Sequence, residues 1–425
     1  MAYHETHTKG YGSRLSGSFK KIGTGLALFI GATALLFWNE GRAVKRAETI
    51  KEAQGSAMHV DNVSEILTDL DGQLIHATAI AESRDTLCDD MFGVSVPAIK
   101  LIREVEYYQW IEESKTEKHE KFGGSEETVT IYSYKKKWTD NPINSDDFHD
   151  PAYRNSNFVI AEFDDERKLA ENVSFGAYTL PDFLKNSISG EKSISLSLDS
   201  AQKADINRII SESMRSSART DVRRLIDSAG QDSGYLVVKG NTVYLGQNAG
   251  NPQIGDVRVS FKAVPSTKVS LIAKVSGDTF EPFMSADGNS FSQLEMGAVS
   301  MDNMFHGADN DNSLITWLLR IVGLIMVIAG LKMTFGILSM FFKWFPALGS
   351  IVDMGVGLVC SVVGFIWSLL IISIAWIFYR PIIGITLIAI AAVIGLLLWK
   401  KSKIKAKDDS VSNEPEEPLT STPTI

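Results

Sequence analysis

The chain has 425 residues, 44% of them hydrophobic, and a formal charge of −9, so it is long enough for two or three structural units. That charge is unevenly spread: residues 47–312 hold 26 Lys/Arg against 43 Asp/Glu, a net of −17, and the rest of the chain carries +8. An acidic unit of this size repels phosphates, which excludes nucleic acid as a partner, while the basic flanks suit anionic lipid headgroups.

Residues 1–21 read as a cytosolic N-terminal tail. Residues 22–39 are an uncharged run of 18 with Trp38 near its end, preceded by Lys20 and Lys21 and followed by Glu40, Arg42, Lys45 and Arg46. A cleaved signal peptide has a shorter apolar core and a small-residue cleavage site. Trp38-Asn39-Glu40-Gly41-Arg42 makes a poor site, so the run reads as a retained transmembrane helix.

Residues 40–312 then alternate as a soluble domain does. Period-two patterning, often β-branched or aromatic, predicts strands at 74–80, 105–112, 128–138, 192–198, 235–245, 257–264 and 268–275. Gly123-Gly124, Gly240-Asn241 and Gly277-Asp278 supply turns. One long helix near 200–229 interrupts the strands. Asp199 or Ser200 caps it, Ile206, Ile210, Met214, Ala218 and Val222 form its apolar stripe, and Gly230 stops it. Arg208, Arg215, Arg219 and Arg223 fall within roughly one quarter of its circumference at ~100° per residue. Such a stripe fits anionic lipid or an acidic partner, and the plainer reading is a solvated basic face. The only cysteines are Cys88 and Cys360, the second inside an apolar run, so the domain must hold together by its core.

A second transmembrane helix is expected at 314–334, with Asp311, Asn312 and Ser313 as N-caps. Arg320 lies a turn or two inside and is expected to snorkel, with Lys332 at the opposite face. Residues 335–350 read as an interfacial cytosolic connector, where Phe341, Phe342, Trp344 and Phe345 cluster beside Lys343. From 355 to 399 the chain carries one charged side chain, Arg380. As a single helix this stretch would be roughly 68 Å long, about twice the hydrocarbon thickness, so it must fold back. Tyr379-Arg380-Pro381 supplies the break, giving spans at 354–378 and 381–399. Gly355, Gly357, Ser361 and Gly364 recur at spacings that favour oligomerisation or packing within the bundle. The tail 400–425 has a disordered composition, and Lys400, Lys401, Lys403, Lys405 and Lys407 favour the cytosol. The fold class is therefore an α+β membrane protein. It has four transmembrane helices, one N-terminal and three C-terminal, with a large β-rich extracytoplasmic domain between the first and second.

No catalytic or metal-binding spacing is present. The seven histidines are scattered, and Asp309-Asn310-Asp311-Asn312 lacks the glycine and closing glutamate of a calcium loop. Asp146, Asp147 and Asp150, like Asp164-Asp165-Glu166, read as solvated loop charges. A G-x-S-x-G elbow, a Walker loop, H-E-x-x-H and C-x-x-C are all missing. The expectation is a non-enzyme without cofactor. Arg208, Arg215, Arg219, Arg223, Arg320, Lys332, Lys343 and Arg380 remain as candidates for lipid or partner contact.

Several blocks read together carry a resemblance. The first span ends Leu36-Phe37-Trp38-Asn39-Glu40-Gly41-Arg42-Ala43-Val44; then come Asp71-Gly72-Gln73-Leu74-Ile75-His76, Phe92-Gly93-Val94 and Ala98-Ile99-Lys100-Leu101. Glu104-Val105-Glu106-Tyr107-Tyr108-Gln109-Trp110 follows, with Tyr132-Ser133-Tyr134 and Trp138 beyond it. Gly255-Asp256-Val257-Arg258-Val259-Ser260-Phe261, Trp344-Phe345-Pro346 and Phe378-Tyr379-Arg380-Pro381 complete the set. Over nearly its whole length the chain resembles the transmembrane protein 43 (LUMA) family.

The resemblance implies four spans and a large lumenal or, in bacteria, periplasmic domain. It also implies a non-enzymatic organiser that self-associates in the endoplasmic reticulum and inner nuclear membrane, with partners such as emerin and lamins in animals. The expected function is an integral, multi-pass membrane scaffold that forms homo-oligomers and organises other membrane proteins. In a bacterium it would sit in the inner (plasma) membrane. The alternative is an oligomeric ion channel or channel modulator, which needs polar groups of several protomers to converge on a water path.

Overall fold

The computed structural model describes residues 3–216, 236–246, 248–342 and 346–382. The chain divides into two units. The first comprises Met1–Gly17, Arg46–Asn312 and Met340–Ile351; the second comprises Ser18–Lys45, Ser313–Ser339 and Val352–Ile425.

Two sheets make up most of the first unit. One has the order β1 (Tyr3–Lys9), β7 (Glu126–Thr139), β6 (Lys100–Glu120), β14 (Val257–Val264), β13 (Thr242–Leu245) and β12 (Leu236–Lys239). On it β8 (Glu166–Leu169) also pairs with β6, and β11 (Lys192–Ser193) with β14. The other runs β10 (Tyr178–Thr179), β9 (Val173–Phe175), β3 (Leu74–Ser83), β15 (Thr267–Ser276) and β16 (Thr279–Glu281). There β19 (Gln293–Met296) pairs with β15, and β2 (Met58–Val60) lies parallel to β3. Two small hairpins, β4 (Thr86–Asp89) with β5 (Val94–Pro97) and β17 (Phe283–Met284) with β18 (Ser290–Phe291), complete the set among the described residues.

Alternation sets the registers. Along β14 the buried positions are Val257, Val259, Phe261 and Ala263, with Arg258, Ser260 and Lys262 on the other face, so a one-residue slip would expose the core set. Val257, Val259 and Phe261 join Phe92, Tyr107, Ile206 and Ile210 in one cluster; Ile75, Phe175, Tyr178, Leu271 and Phe280 belong to a second around the other sheet. Burying each of these large side chains contributes about 1.5–3 kcal/mol. The β6–β7 hairpin turns at Gly123 and Gly124, both at positive φ, where a Cβ would be strained.

Most predicted strands are present, and several expectations need correction. Of the strand predicted at 192–198 only Lys192–Ser193 forms regular ladder, though the Ile194 and Leu196 N–H groups still donate to the Phe261 and Gly240 carbonyls. The expected tail at 1–21 is not free: Tyr3–Lys9 pairs in register with β7, Tyr3 opposite Tyr132 and Lys9 opposite Glu126. Arg14 ties the hairpin turn, bonding Glu120 at 2.8 Å and the Gly124 carbonyl at 2.7 Å. Asp164-Asp165-Glu166 is more than solvated charge. Asp165 accepts from the Val105 N–H at 2.7 Å, and Arg103 donates to the Asp164 carbonyl at 2.9 Å, because this segment lies along the buried half of β6.

The helices are α1 (Tyr11–Ser56), α2 (Asp182–Lys185), α3 (Ser200–Ser216), α4 (Met301–Phe342) and α5 (Pro346–Tyr379). Asp199 caps α3 reciprocally: its carboxylate takes the Gln202 N–H at 2.8 Å, and Gln202 takes the Asp199 N–H at 2.9 Å. The remainder of the predicted helix, 217–229, lies outside the described residues. Among the described residues three helices are long and apolar enough to cross a membrane: Lys20–Ser56, Met301–Ile337 and Val352–Tyr379. The fourth expected span lies outside the described residues from 383 onward.

Asp311, Asn312 and Ser313 were expected to cap the second span, but they sit within α4. The helix starts earlier because Met304, Phe305 and Ala308 pack with Ile50, Ala53, Leu74, Ile272 and Phe291 in a third cluster of the first unit. α4 likewise continues as helix to Phe342 through what was expected as connector.

Candidate functional site

Within the second unit, α1 and α4 pass closely enough for backbone contact. A Cβ on Gly25 would meet the Gly330 carbonyl at 2.8 Å, and one on Gly330 would meet the Gly25 carbonyl at 2.8 Å. Only glycine permits that approach. Further along, Gly323 receives Leu36, and Gly364 of α5 receives Ile328 of α4. Ala32, Leu36, Val327, Leu331, Cys360 and Ile371 form the buried apolar cluster. Of the small residues noted on α5, Gly364 packs within the bundle, whereas a Cβ on Gly355 would meet open space.

This packing brings a polar network together at the end of the first apolar run. The Glu40 side chain is 3% exposed. Its Oε1 and Oε2 accept from Arg320 Nε and Nη2 at 2.7 Å each, and Oε2 also accepts from Trp376 Nε1 at 2.8 Å. Planar guanidinium against carboxylate gives two parallel charge-assisted bonds, the strongest common pairing. Trp317 and Trp376 present their rings to the Arg320 guanidinium at 4.8 Å and 5.8 Å, within cation–π range. Beside the pair, Asn39 Nδ2 donates to the Thr316 carbonyl at 3.0 Å, and Arg42 Nη2 to the Thr316 hydroxyl at 2.9 Å. Gly41 is filled by the Tyr379 ring, which packs on Phe37 at 5.4 Å. Every residue of Asn39-Glu40-Gly41-Arg42 is thus engaged with α4 or α5.

The chain belongs to the transmembrane protein 43 family. The family's sequence model, described as Transmembrane protein 43, matches residues 107–381, which include Arg320 and Trp376. The human protein of that name is 28% identical over 409 residues, covering 94% of each chain, and the mouse protein 27% over 409 residues with the same coverage. A Drosophila melanogaster homolog is 24% identical over 379 residues, covering 87% of this chain and 91% of its own. No solved structure matches. As a family member this chain is an integral membrane protein with a β-rich domain between its first and second apolar helices.

Among the described residues, the other candidates are not brought together. Arg208 is exposed and shared between Asp205 at 3.4 Å and Glu212 at 3.5 Å, as a solvated helix face would be. Arg215 lies on α3; Arg219, Arg223 and Lys343 lie outside the described residues. Lys332 and Arg380 are exposed. Arg320 does not snorkel as expected, because Glu40 meets it inside the bundle. In the sequence Glu40 stands out only as a flank of the first span. The available signal was a carboxylate ending one span and an arginine set inside the next.

A second polar cluster lies on the β6–β7 hairpin. Glu112 accepts from Tyr134 at 2.6 Å, from the His149 N–H at 2.7 Å and from His149 Nδ1 at 2.9 Å. Burial pushes the Glu112 carboxyl up, but these bonds outweigh it and hold it below the ordinary carboxylate value. Tyr134 is pushed up to about 12, by burial and by its bond to Glu112. The Tyr132 ring stacks on His149 at 3.9 Å and Tyr134 on Tyr153 at 4.1 Å. Among the described residues no three His, Cys, Asp or Glu converge as a metal site would require.

Proposed function

We propose that this protein is a non-enzymatic membrane scaffold that self-associates through its helices and uses its β-rich domain to organise other membrane proteins. The observation that carries the reading is the direction in which the bundle's polar and apolar groups face. Asn39, Glu40, Arg42, Thr316 and Arg320 bond to one another and to Trp376 within a single chain. Outward, α5 exposes Met354, Leu358, Val362, Phe365 and Leu369, a surface for lipid or for another apolar helix. A conducting pore would need such polar groups to face a water path instead.

The domain is proposed to lie outside the cytosol. The lysines at 400–407 favour a cytosolic C-terminus, and three spans separate that end from the domain when 381–399 is counted. This corresponds to a lumenal domain at the endoplasmic reticulum or inner nuclear membrane of a eukaryote, or a periplasmic domain in a bacterium. Crosslinking in mild detergent should yield multimers, and the same protein in liposomes should conduct no ions. A strictly monomeric species contradicts the scaffold; reproducible ion flux favours the channel.

A further inference from the structure

Two histidines of the first unit meet nitrogen to nitrogen, one just after the end of α1 and the other bonded to the segment just ahead of α4. β2 follows the end of α1 and places His59 opposite His76 of β3. Their Nδ1 atoms are 2.8 Å apart. His76 is buried, and its Nε2 lies 2.9 Å from the carbonyl of Val299, just ahead of α4. His59 is partly exposed, with Nε2 3.0 Å from Asp61 Oδ1.

The protons follow by elimination. A carbonyl only accepts, so His76 carries hydrogen on Nε2. Neutral His76 then offers a lone pair at Nδ1, and His59 must donate from its own Nδ1. The Asp61 contact is a hydrogen bond when His59 Nε2 is protonated as well. A further proton on His76 would set two N–H groups head to head across the 2.8 Å contact, with nothing left to accept.

We propose that His59 and His76 form a proton-operated latch. It holds β2, which follows α1, and the segment just ahead of α4 onto β3, and acidification releases it. Burial holds His76 below the ordinary imidazole value, opposed by its bond to Val299 and reinforced by His59. Among the described residues, His59 is the titratable side chain that hydrogen-bonds the His76 ring. Across from it β15 presents Ile272; Lys274 further along pairs with Glu281, and Glu295 of β19 bonds Gln293. Asp302 and His306 on α4 are exposed, and Glu52 of α1 accepts from the Ala286 N–H. Because the native value is depressed, the latch contributes fully above about pH 6.5 and is lost as pH falls through the native value.

The test is hydrogen exchange by mass spectrometry on the full chain in micelles at about pH 7.5 and about pH 5, with labelling times scaled for intrinsic exchange. Scaled exchange of peptides spanning 57–61 and 297–301 should rise about fivefold or more at the lower pH, while 257–264 stays protected. His59→Gln should abolish the rise, since an amide turns to donate or accept. Equal protection at both pH values overturns the proposal, as does a rise that persists in His59→Gln or one that extends to 257–264.

Discussion

Removing the Arg320 side chain probes the bundle most sharply. In Arg320→Met, Glu40 loses both 2.7 Å bonds and keeps one neutral donor, Trp376, at 2.8 Å. A carboxylate only 3% exposed has little water to turn to. Stranding one partner of a buried pair costs about 3–5 kcal/mol. Glu40→Leu alone strands a guanidinium that is 16% exposed and flanked by two tryptophans, so about 2–3 kcal/mol is expected. Removing both charges relieves each stranded group, and the double variant should fall within about 1–2 kcal/mol of the parent. The assay is reversible denaturant unfolding in mixed micelles, read by tryptophan fluorescence and closed as a double-mutant cycle. The expected coupling is about 3 kcal/mol or more; losses that simply add, or an Arg320→Met change below about 0.5 kcal/mol, refute the reasoning.

Other perturbations test other parts. Gly330→Leu places side-chain atoms against the Gly25 carbonyl and Phe29 backbone, so it should cost about 1–3 kcal/mol or more by the same assay, whereas Gly31→Ala, which points into open space, should change little. Glu112, held low in the native state, contributes stability above about pH 4.3 that is lost as pH falls through its native value. Glu112→Gln should therefore flatten the acid limb of a stability–pH profile, and an unchanged limb would count against the Tyr134–His149 cluster. The pairing of Tyr3–Lys9 with β7 is tested by thiol chemistry. Oxidising the pair Thr8→Cys and Glu127→Cys, directly opposite in the register, should give an intramolecular disulfide seen by peptide mapping.

Much of the fold was legible in the residues because periodicity marks it. β14 was predicted with the observed limits, and the turns at Gly240 and Gly277 were read from glycines that do sit at positive φ. The α1 and α5 apolar cores followed from uncharged runs, and that of α4 from an apolar pattern carrying only Arg320 and Lys332. Their ends did not, because Met304 and Phe305 extend α4 through tertiary packing that no local cap announces. The network at Glu40 was half legible. Arg320 stood out as an intramembrane charge, but its partner lies 280 positions away and only helix packing brings them together. The His59–His76 contact was invisible for the same reason: the parallel pairing of β2 on β3 creates it, and no spacing rule encodes it.

The claim on which the rest depends is that lipid separates the β-rich domain from the C-terminal lysines. It is tested by impermeant thiol labelling of intact vesicles carrying a single cysteine, Asp287→Cys in an exposed domain loop or Lys405→Cys in the tail, with Cys88 and Cys360 replaced. Opposite accessibility of the two sites is the predicted result, and equal labelling from one side would contradict it.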